Sequence, residues 1–292
     1  MRTLLVATDF SARGDRALRR AVLLAREFGA RIVLAHIIDG DEPDDGAFAE
    51  DDAAKGLLAR LAETVRTIDG VSCDVRIAAS TPVAGLTRIV REVMPDLLIM
   101  GDPRRRAARD AFLGSTAELI LRSARCPTLI ARAVPAGHYR RFLQAIDLSP
   151  GSSGALARLA ALGLADPGKE RGRARGAVLH VYDCPALKLG RLAAPSGEER
   201  GFHEGEAHES AGRTVAQMLA KAGLSDMPVR LRPDRKTVAR EIVEAAEEER
   251  ADLIILSTRG QGGIARLVLG SVAQQVLVES AVDVLIFPPE EG

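Results

Sequence analysis

Short continuous apolar runs alternate along this chain with longer stretches in which apolar residues recur every three to four positions. The short runs are typical of parallel β-strands that are buried on both faces, and the longer stretches are typical of amphipathic helices. The clearest helical stretches are residues 13–28, 55–68, 214–222 and 238–250. The regular alternation predicts an α/β fold with doubly wound parallel sheets.

The chain contains an internal sequence repeat, with one copy in each half. The matched positions and their separations are Asp9 and Asp147 (138 positions), His36 and His180 (144), and Gly114 and Gly270 (156). The order of the matched segments never changes, and the separation grows only where charged or Gly-rich loops are inserted. We therefore predict two tandem domains with five strands each, residues 1–137 and 138–292, packed as an internal pseudo-dimer.

One segment of the second half has the composition of a phosphate-binding loop. It runs from Ser257 at a strand end through Gly260, Gly262 and Gly263 to Gly270-Ser271, where a helix begins. Glycines let backbone N–H groups approach phosphate oxygens closely, and a helix N-terminus adds unpaired donors and a favourable dipole. The spacing fits neither the P-loop nor the dinucleotide-binding motif. In a doubly wound sheet this loop lies at the carboxyl ends of the strands, where ligands bind.

Composition narrows the function classes. The 292 residues are 47% hydrophobic and 27% charged, as in a chain that buries substantial cores. Forty basic residues balance forty acidic ones, which disfavours a general affinity for nucleic acid or anionic membrane. The three cysteines are far apart and have no CxxC spacing, which indicates reduced thiols. Residues 1–20 lack the order of a secretory signal, and no apolar run has the length of a membrane span, so we expect a cytoplasmic protein.

The segment from Ser257 to Ser271 resembles the G-x2-G-x9-G-[S/T] nucleotide motif of the universal stress protein family, and the other repeated segments resemble that family's strands in the same order. The resemblance implies the α/β fold of adenine nucleotide alpha hydrolase-like proteins and binding of ATP, with Mg²⁺ accompanying it. By this resemblance, the nucleotide-binding residues of the second half are Asp147, Val181, Ser257, Thr258, Gly260, Gly263, Gly270, Ser271 and Val272. The corresponding second site in the first half is Asp9, Ile37, Gly101, Arg104, Gly114 and Ser115.

Each half departs from the family motif at one glycine. In the first half Arg104 replaces the second glycine, where a Cβ blocks positive φ, and the neighbouring Pro103 removes an N–H donor. In the second half Ser257 replaces the first glycine, which is the milder change because serine is small and donates a hydrogen bond. We therefore predict that the second half binds the nucleotide, unless the arginines at 104–106 replace the lost donors of the first half with side-chain charge.

Several of these residues have structural alternatives. Asp9 and Asp147 could cap the helices that follow them, and the Gly-rich loop could be only a tight connection. His36 and His180 lie inside apolar strands, which favours a hydrogen-bonded structural role. His203 and His208 are five positions apart rather than the four of the HExxH motif, so we predict no metal site.

We predict no catalytic residues, because no hydrolase arrangement of side chains can be identified. The leading hypothesis is an ATP-binding stress-response protein that acts on an unidentified protein partner, and association of two chains is left open. The alternatives are a scaffold that binds no nucleotide and a slow ATPase.

Overall fold

The structure, a computed structural model, describes residues 1–39, 47–103, 115–164, 174–184, 197–258 and 269–288. Along the chain the elements are β1 (Thr3–Ala7), α1 (Ala12–Phe28), β2 (Arg31–Ile38), α2 (Ala47–Thr67), β3 (Cys73–Ala79), α3 (Pro82–Val93), β4 (Leu97–Gly101), α4 (Ser115–Ser123), β5 (Thr128–Ala131), β6 (Arg141–Ile146), α5 (Pro150–Leu162), β7 (Arg175–Tyr182), α6 (Gly197–Lys221), β8 (Val229–Pro233), α7 (Val238–Glu248), β9 (Leu253–Ser257), α8 (Ser271–Glu279) and β10 (Asp283–Phe287). Strands and helices alternate within each half of the chain, and of the described elements only β5 and β6 follow each other directly, which confirms the predicted α/β class.

The chain divides into two compact units, and the first of them combines two separate segments of the chain. Unit 1 comprises Met1–His138 together with Ala281–Pro288, and unit 2 contains Tyr139–Ser280. The last strand in the chain, β10, is thus a part of unit 1. There it pairs antiparallel with β5, with Leu285 opposite Leu129.

In unit 1 the strands β3, β2, β1, β4 and β5 lie side by side in this order, all parallel. In unit 2 the order is β8, β7, β6 and β9, again all parallel. The two units repeat one strand topology, in which the order reverses beside the first strand of the unit. That reversal, between β1 and β4 and between β6 and β9, leaves a crevice beyond the carboxyl ends of the strands.

The central strands of each unit carry apolar residues on both faces and make up its core, whereas β3 and β8 alternate with charged residues. The central residues of β1 and β4 are fully buried, as are those of β6 and β9; examples are Leu5, Ile99, Leu143 and Ile254. Helices α2 and α6 begin earlier than their apolar periodicity predicts. The added N-terminal segments contain Ala and Glu residues, which have high helix propensity.

In each unit a matched aspartate accepts hydrogen bonds from the backbone at the start of the first strand. Asp96, just before β4, accepts hydrogen bonds from the backbone N–H groups of Arg2 and Thr3 at 2.6 and 2.9 Å. Asp252, just before β9, accepts them from Arg140 and Arg141 at 2.7 and 3.1 Å. The repeat therefore preserves backbone hydrogen bonding as well as the apolar pattern.

Candidate functional site

A pocket of about 150 Å³ opens at the strand-order reversal of unit 2. Its walls come from the carboxyl ends of β6 and β9, from β7, and from the first turns of α5, α7 and α8. The apolar part of the wall includes Ala145, Val181, Val238, Ile242 and Leu256. Such a wall suits a flat apolar ring, and the polar groups lie where the strands end.

Asp147 is the carboxylate of this pocket, and its own hydrogen bonds hold it in place. Its Oδ1 accepts a hydrogen bond from Ser152 Oγ at 2.6 Å and one from the Ser149 backbone N–H at 3.1 Å. Leu148, which lies between Asp147 and Ser149 in the chain, adopts the left-handed conformation with φ 62°. A non-glycine residue in this region is strained, and such strain is concentrated at functional sites.

Thr258 supplies a hydroxyl to the same pocket immediately after β9. The residue is only 5% exposed, and its Oγ1 has no hydrogen-bond partner in the described part of the chain. A buried hydroxyl without a partner is unfavourable by about 1–3 kcal/mol. A ligand atom in the pocket would remove this penalty.

The helix α8 begins at the pocket. Gly270 precedes it in an extended conformation with φ −59°, and its N–H donates to the Thr258 carbonyl at 3.0 Å. The first N–H groups of any helix lack intrahelical acceptors. Those of Ser271, Val272 and Ala273 lie at the pocket, where the helix dipole favours an anion.

The structure brings most of the predicted residues of the second half together. Those that line the pocket are Asp147, Val181, Ser257, Thr258, Gly270, Ser271 and Val272. Gly260 and Gly263 lie outside the described residues. Nucleotide binding by these residues stays a prediction.

The pocket also contains residues that the sequence analysis did not predict, and three of them matter most for its shape and for the orientation of Asp147. Ser152 holds the Asp147 carboxylate, and Val238 and Ile242 contribute a wall from α7. The spacing Asp147-x-Ser149-x-x-Ser152 was a usable signal, because a hydroxyl one helical turn beyond a strand-end carboxylate can reach back to it. Val238 and Ile242 had no such signal, since they look like ordinary core residues of an amphipathic helix.

The corresponding end of β1 in unit 1 is built differently. Asp9 Oδ1 accepts from both the hydroxyl and the N–H of Ser11, and Arg13 lies 3.8 Å from Oδ2. Burial raises the pKa of Asp9, but these hydrogen bonds and the Arg13 charge outweigh it and hold the pKa below 3.8. Ser11, not Asp9, caps α1 by accepting from the Gly14 N–H. The capping role considered for Asp9 thus belongs to its neighbour.

Two positions at this end of unit 1 leave little space for side chains. A Cβ on Gly14, which matches Ser152, would lie 2.9 Å from Thr8 Oγ1, and one on Gly101, which matches Ser257, would lie 2.6 Å from the Arg13 carbonyl. Ile37, the counterpart of Val181, is half-buried in β2 and lies 3.0 Å from the Cβ position of Gly85. Arg104 and Gly114 lie outside the described residues, and Ser115 is the first residue of α4.

The charge at the end of β4 also differs from that at the end of β9. Asp102, at the position that matches Thr258, forms an ion pair with Arg132 at 2.7 Å. The hydroxyl of Thr258 can donate a hydrogen bond to a phosphate oxygen, whereas the Asp102 carboxylate in its ion pair with Arg132 cannot. The first half therefore differs from the second in both space and charge.

Substituting Gly101 with serine, the residue of the second half, should lower the free energy of unfolding by about 1–3 kcal/mol, because the new Cβ overlaps the Arg13 backbone. Urea denaturation followed by circular dichroism measures the change. Gly205→Ala in the exposed part of α6 is the matched control; its Cβ meets nothing within 4 Å, so it should raise stability by about 0.5–1 kcal/mol. A Gly101→Ser protein as stable as the wild type would contradict the prediction.

The two strand histidines have structural roles. The Nδ1 of His36 donates to the Thr8 carbonyl at 2.8 Å, and that of His180 donates to the Ile146 carbonyl at 3.0 Å. Each bond joins the second strand of a unit to the end of the first. The predicted structural interpretation is thus confirmed for both.

No group of three or more potential metal ligands occurs among the described residues. His208 instead contacts Tyr182, with ring centroids 5.7 Å apart. The three cysteines, all within the described ranges, are buried and form no disulfide. Of the helices that the structure describes, none has the length and apolarity to cross a membrane.

Comparisons with known proteins agree with this architecture. The model of the universal stress protein family matches residues 1–132 and again residues 138–288. The universal stress protein Rv2005c of Mycobacterium tuberculosis is 23% identical over 96% of this chain and 95% of its own length.

Two solved structures extend the comparison. A universal stress protein from Archaeoglobus fulgidus has a TM-score of 0.68 at 19% identity, over 97% of both chains. A universal stress protein in complex with cAMP matches 44% of this chain with a TM-score of 0.38 and 24% identity. With the family model matching both halves, the chain belongs to the universal stress protein family.

Proposed function

We propose that this protein binds ATP or a related adenine nucleotide in its second half and acts by binding rather than by catalysis. The observation that carries the proposal is the buried Thr258 hydroxyl, which lacks a partner in the described residues and faces the same pocket as the start of α8. A donor-rich helix terminus and an acceptor-donor hydroxyl together suit the oxygens of a phosphate chain.

The remaining walls of the pocket fit the rest of such a ligand. Val181, Ile242 and Leu256 form an apolar surface for an adenine ring, and the Asp147 carboxylate can accept hydrogen bonds from ribose hydroxyls. Ser152 and Ser149 would keep that carboxylate oriented when the nucleotide arrives. Mg²⁺ would enter as the counter-ion of the phosphates.

The first half is proposed to bind no nucleotide. Its Asp102 presents a carboxylate where the second half presents Thr258, and α1 approaches Gly101 closely. These two features favour a single nucleotide per chain. We therefore expect substitution of Asp147 to affect nucleotide binding and substitution of its counterpart Asp9 not to affect it.

Titration of the full chain with MgATP by calorimetry tests the proposal, with one nucleotide expected per chain. Thr258→Val should weaken binding by about 10- to 100-fold, since a hydrogen bond to a charged group is worth roughly 1.5–3 kcal/mol. Asp147→Ala should weaken it as well, whereas the matched control Asp9→Ala should leave it unchanged. Failure to bind at millimolar MgATP would refute the proposal and favour the scaffold. Equal losses in both Asp variants would refute the assignment to the second half.

A further inference from the structure

The strand ends of unit 2 present three kinds of group to the pocket, in a definite order. Strand β6 lies between β7 and β9 and pairs with both. Val181 on β7 belongs to the apolar wall, whereas Thr258, which follows β9, and Ser271 at the start of α8 form the donor-rich end. Asp147 directly follows β6 and therefore lies between the wall and the donors. Neighbouring strands are about 4.8 Å apart, so the two ends are about two strand spacings from each other.

This order matches the order of the parts in a nucleotide, where the sugar lies between the base and the phosphate. A base against Val181 and a phosphate at Thr258 and the start of α8 place the sugar beside Asp147. In the dinucleotide-binding fold, too, a carboxylate near the strand ends accepts a hydrogen bond from a ribose hydroxyl. The carboxylate of Asp147 is thus placed to contact the hydroxyls of the sugar.

A closed set of hydrogen bonds holds this carboxylate. Ser152 Oγ donates to Asp147 Oδ1 at 2.6 Å and accepts from the Asp147 backbone N–H at 3.2 Å. The Ser149 N–H donates to the same Oδ1 at 3.1 Å, and Ser149 Oγ accepts from the Ser152 N–H at 3.3 Å. Ser152 is only 2% exposed, so little water competes for its hydroxyl. These bonds fix the direction of the carboxylate independently of a ligand.

The fold does not require the Ser152 hydroxyl, because unit 1 forms the same turn without it. Phe10 and Leu148, which follow the matched aspartates, both adopt the left-handed conformation, with φ values of 56° and 62°. The counterpart of Ser152 in unit 1 is Gly14, which has no side chain. The hydroxyl that orients the carboxylate therefore occurs only in the half whose pocket contains Thr258.

We propose that the pocket of unit 2 selects ribonucleotides through Asp147 and that Ser152 is the positioning residue for this selectivity, which rests on the proposed nucleotide function. A carboxylate that can turn away loses little when the ligand lacks a hydroxyl. A carboxylate held in one direction is left without that partner, which is unfavourable. A site built around a substrate hydroxyl therefore rejects the analogue that lacks it.

Calorimetric titration of the full chain with MgATP and with the Mg²⁺ complex of 2′,3′-dideoxy-ATP tests the selectivity. Dideoxy-ATP has the same base and phosphates but neither ribose hydroxyl. We expect it to bind about 10- to 100-fold more weakly than ATP, because a hydrogen bond to a charged group is lost. Equal affinities would overturn the selectivity and leave nucleotide binding intact. No binding of either nucleotide would overturn the proposed function and the selectivity with it.

The positioning role is tested by the ratio of the two affinities, which a general loss of stability does not change. Ser152→Ala should reduce the preference for ATP, because the released carboxylate can turn away from the ligand. Asp147→Ala should abolish the preference, and adding Ser152→Ala to it should have no further effect. The matched control is Ser153→Ala, the same change at the next position of α5 and outside the pocket lining, which should keep the full preference.

Two results would refute the positioning role of Ser152. One is a full preference for ATP in Ser152→Ala. The other is a further loss of affinity when Ser152→Ala is added to Asp147→Ala, because a residue that acts through the carboxylate has no effect once the carboxylate is removed.

Discussion

Replacing Asp283 with alanine should lower the free energy of unfolding by about 3–5 kcal/mol, the cost of removing one partner from a buried ion pair. Asp283 is fully buried in β10, and its Oδ2 accepts from Arg20 Nε of α1 at 3.0 Å. Its Oδ1 accepts from the backbone N–H groups of Arg132 and Ala133 at 2.7 and 2.9 Å. The variant removes this carboxylate from a buried guanidinium and takes an acceptor from two N–H groups. Urea denaturation of the full chain measures the loss.

The exposed ion pair between Arg31 and Asp74, at 3.2 Å and about half exposed on both sides, is the control. Asp74→Ala should change the free energy of unfolding by less than about 1 kcal/mol, because solvent screens such pairs. If Asp283→Ala were as mild as Asp74→Ala, the packing of β10 against unit 1 would be contradicted.

Replacing Gly176 with isoleucine should lower the free energy of unfolding by about 3 kcal/mol or more through overpacking. Gly176 in β7 lies opposite Phe142 of β6, and a Cβ on it would fall 1.8 Å from the end of the Phe142 ring. Phe142 is buried, with only 3% of its surface exposed. The matched pair in unit 1 is Leu4 and Ile32. Two medium-sized residues in unit 1 therefore correspond to one large residue, Phe142, and one small residue, Gly176, in unit 2.

The double variant Phe142→Leu with Gly176→Ile copies the pair of unit 1 and tests this explanation. Phe142→Leu alone should be destabilising because it leaves a cavity over the glycine. The double variant should recover much of both losses, with a coupling free energy of about 0.5–3 kcal/mol in the cycle. Additive losses in the double variant would show that the two positions do not compensate for each other.

The repeat made most of the fold predictable. Asp9 and Asp147 each end a buried run, and the same order of segments follows each of them, so strand number and order could be read from one half and checked in the other. The placement of Asp147, Thr258 and Gly270 around one crevice follows from the topology, because parallel strands end at the same edge.

The membership of β10 in unit 1 could not be predicted from the sequence. Residues 282–287 match the fifth strand of the first half, but an apolar pattern identifies a strand and does not show that it pairs antiparallel with β5. Asp283 in that apolar run was the one hint, because a carboxylate is buried only with a partner. The partner, Arg20, lies 263 positions away, and periodicity carries no information over such a separation.

The ion pair at the end of β4 could not be predicted from the family motif either. The family motif singles out position 104, whereas the ion pair with Arg132 is formed by Asp102, two positions earlier. The sequence contains Asp102 and Arg132 but does not show that they pair, because they are 30 positions apart.

The assignment of β10 to unit 1 has a consequence for the order in which the protein is made. Strands β1 to β5 are synthesised before the second repeat, but β10 (Asp283–Phe287), which belongs to the same unit, is synthesised only after β6 to β9. Until β10 is synthesised, β5 therefore lacks its antiparallel neighbour and has an open hydrogen-bonding edge. Over the same period Arg20 lacks its ion-pair partner Asp283. The unit whose synthesis begins first is thus completed last, and a nascent chain released before Asp283 carries an incomplete first unit.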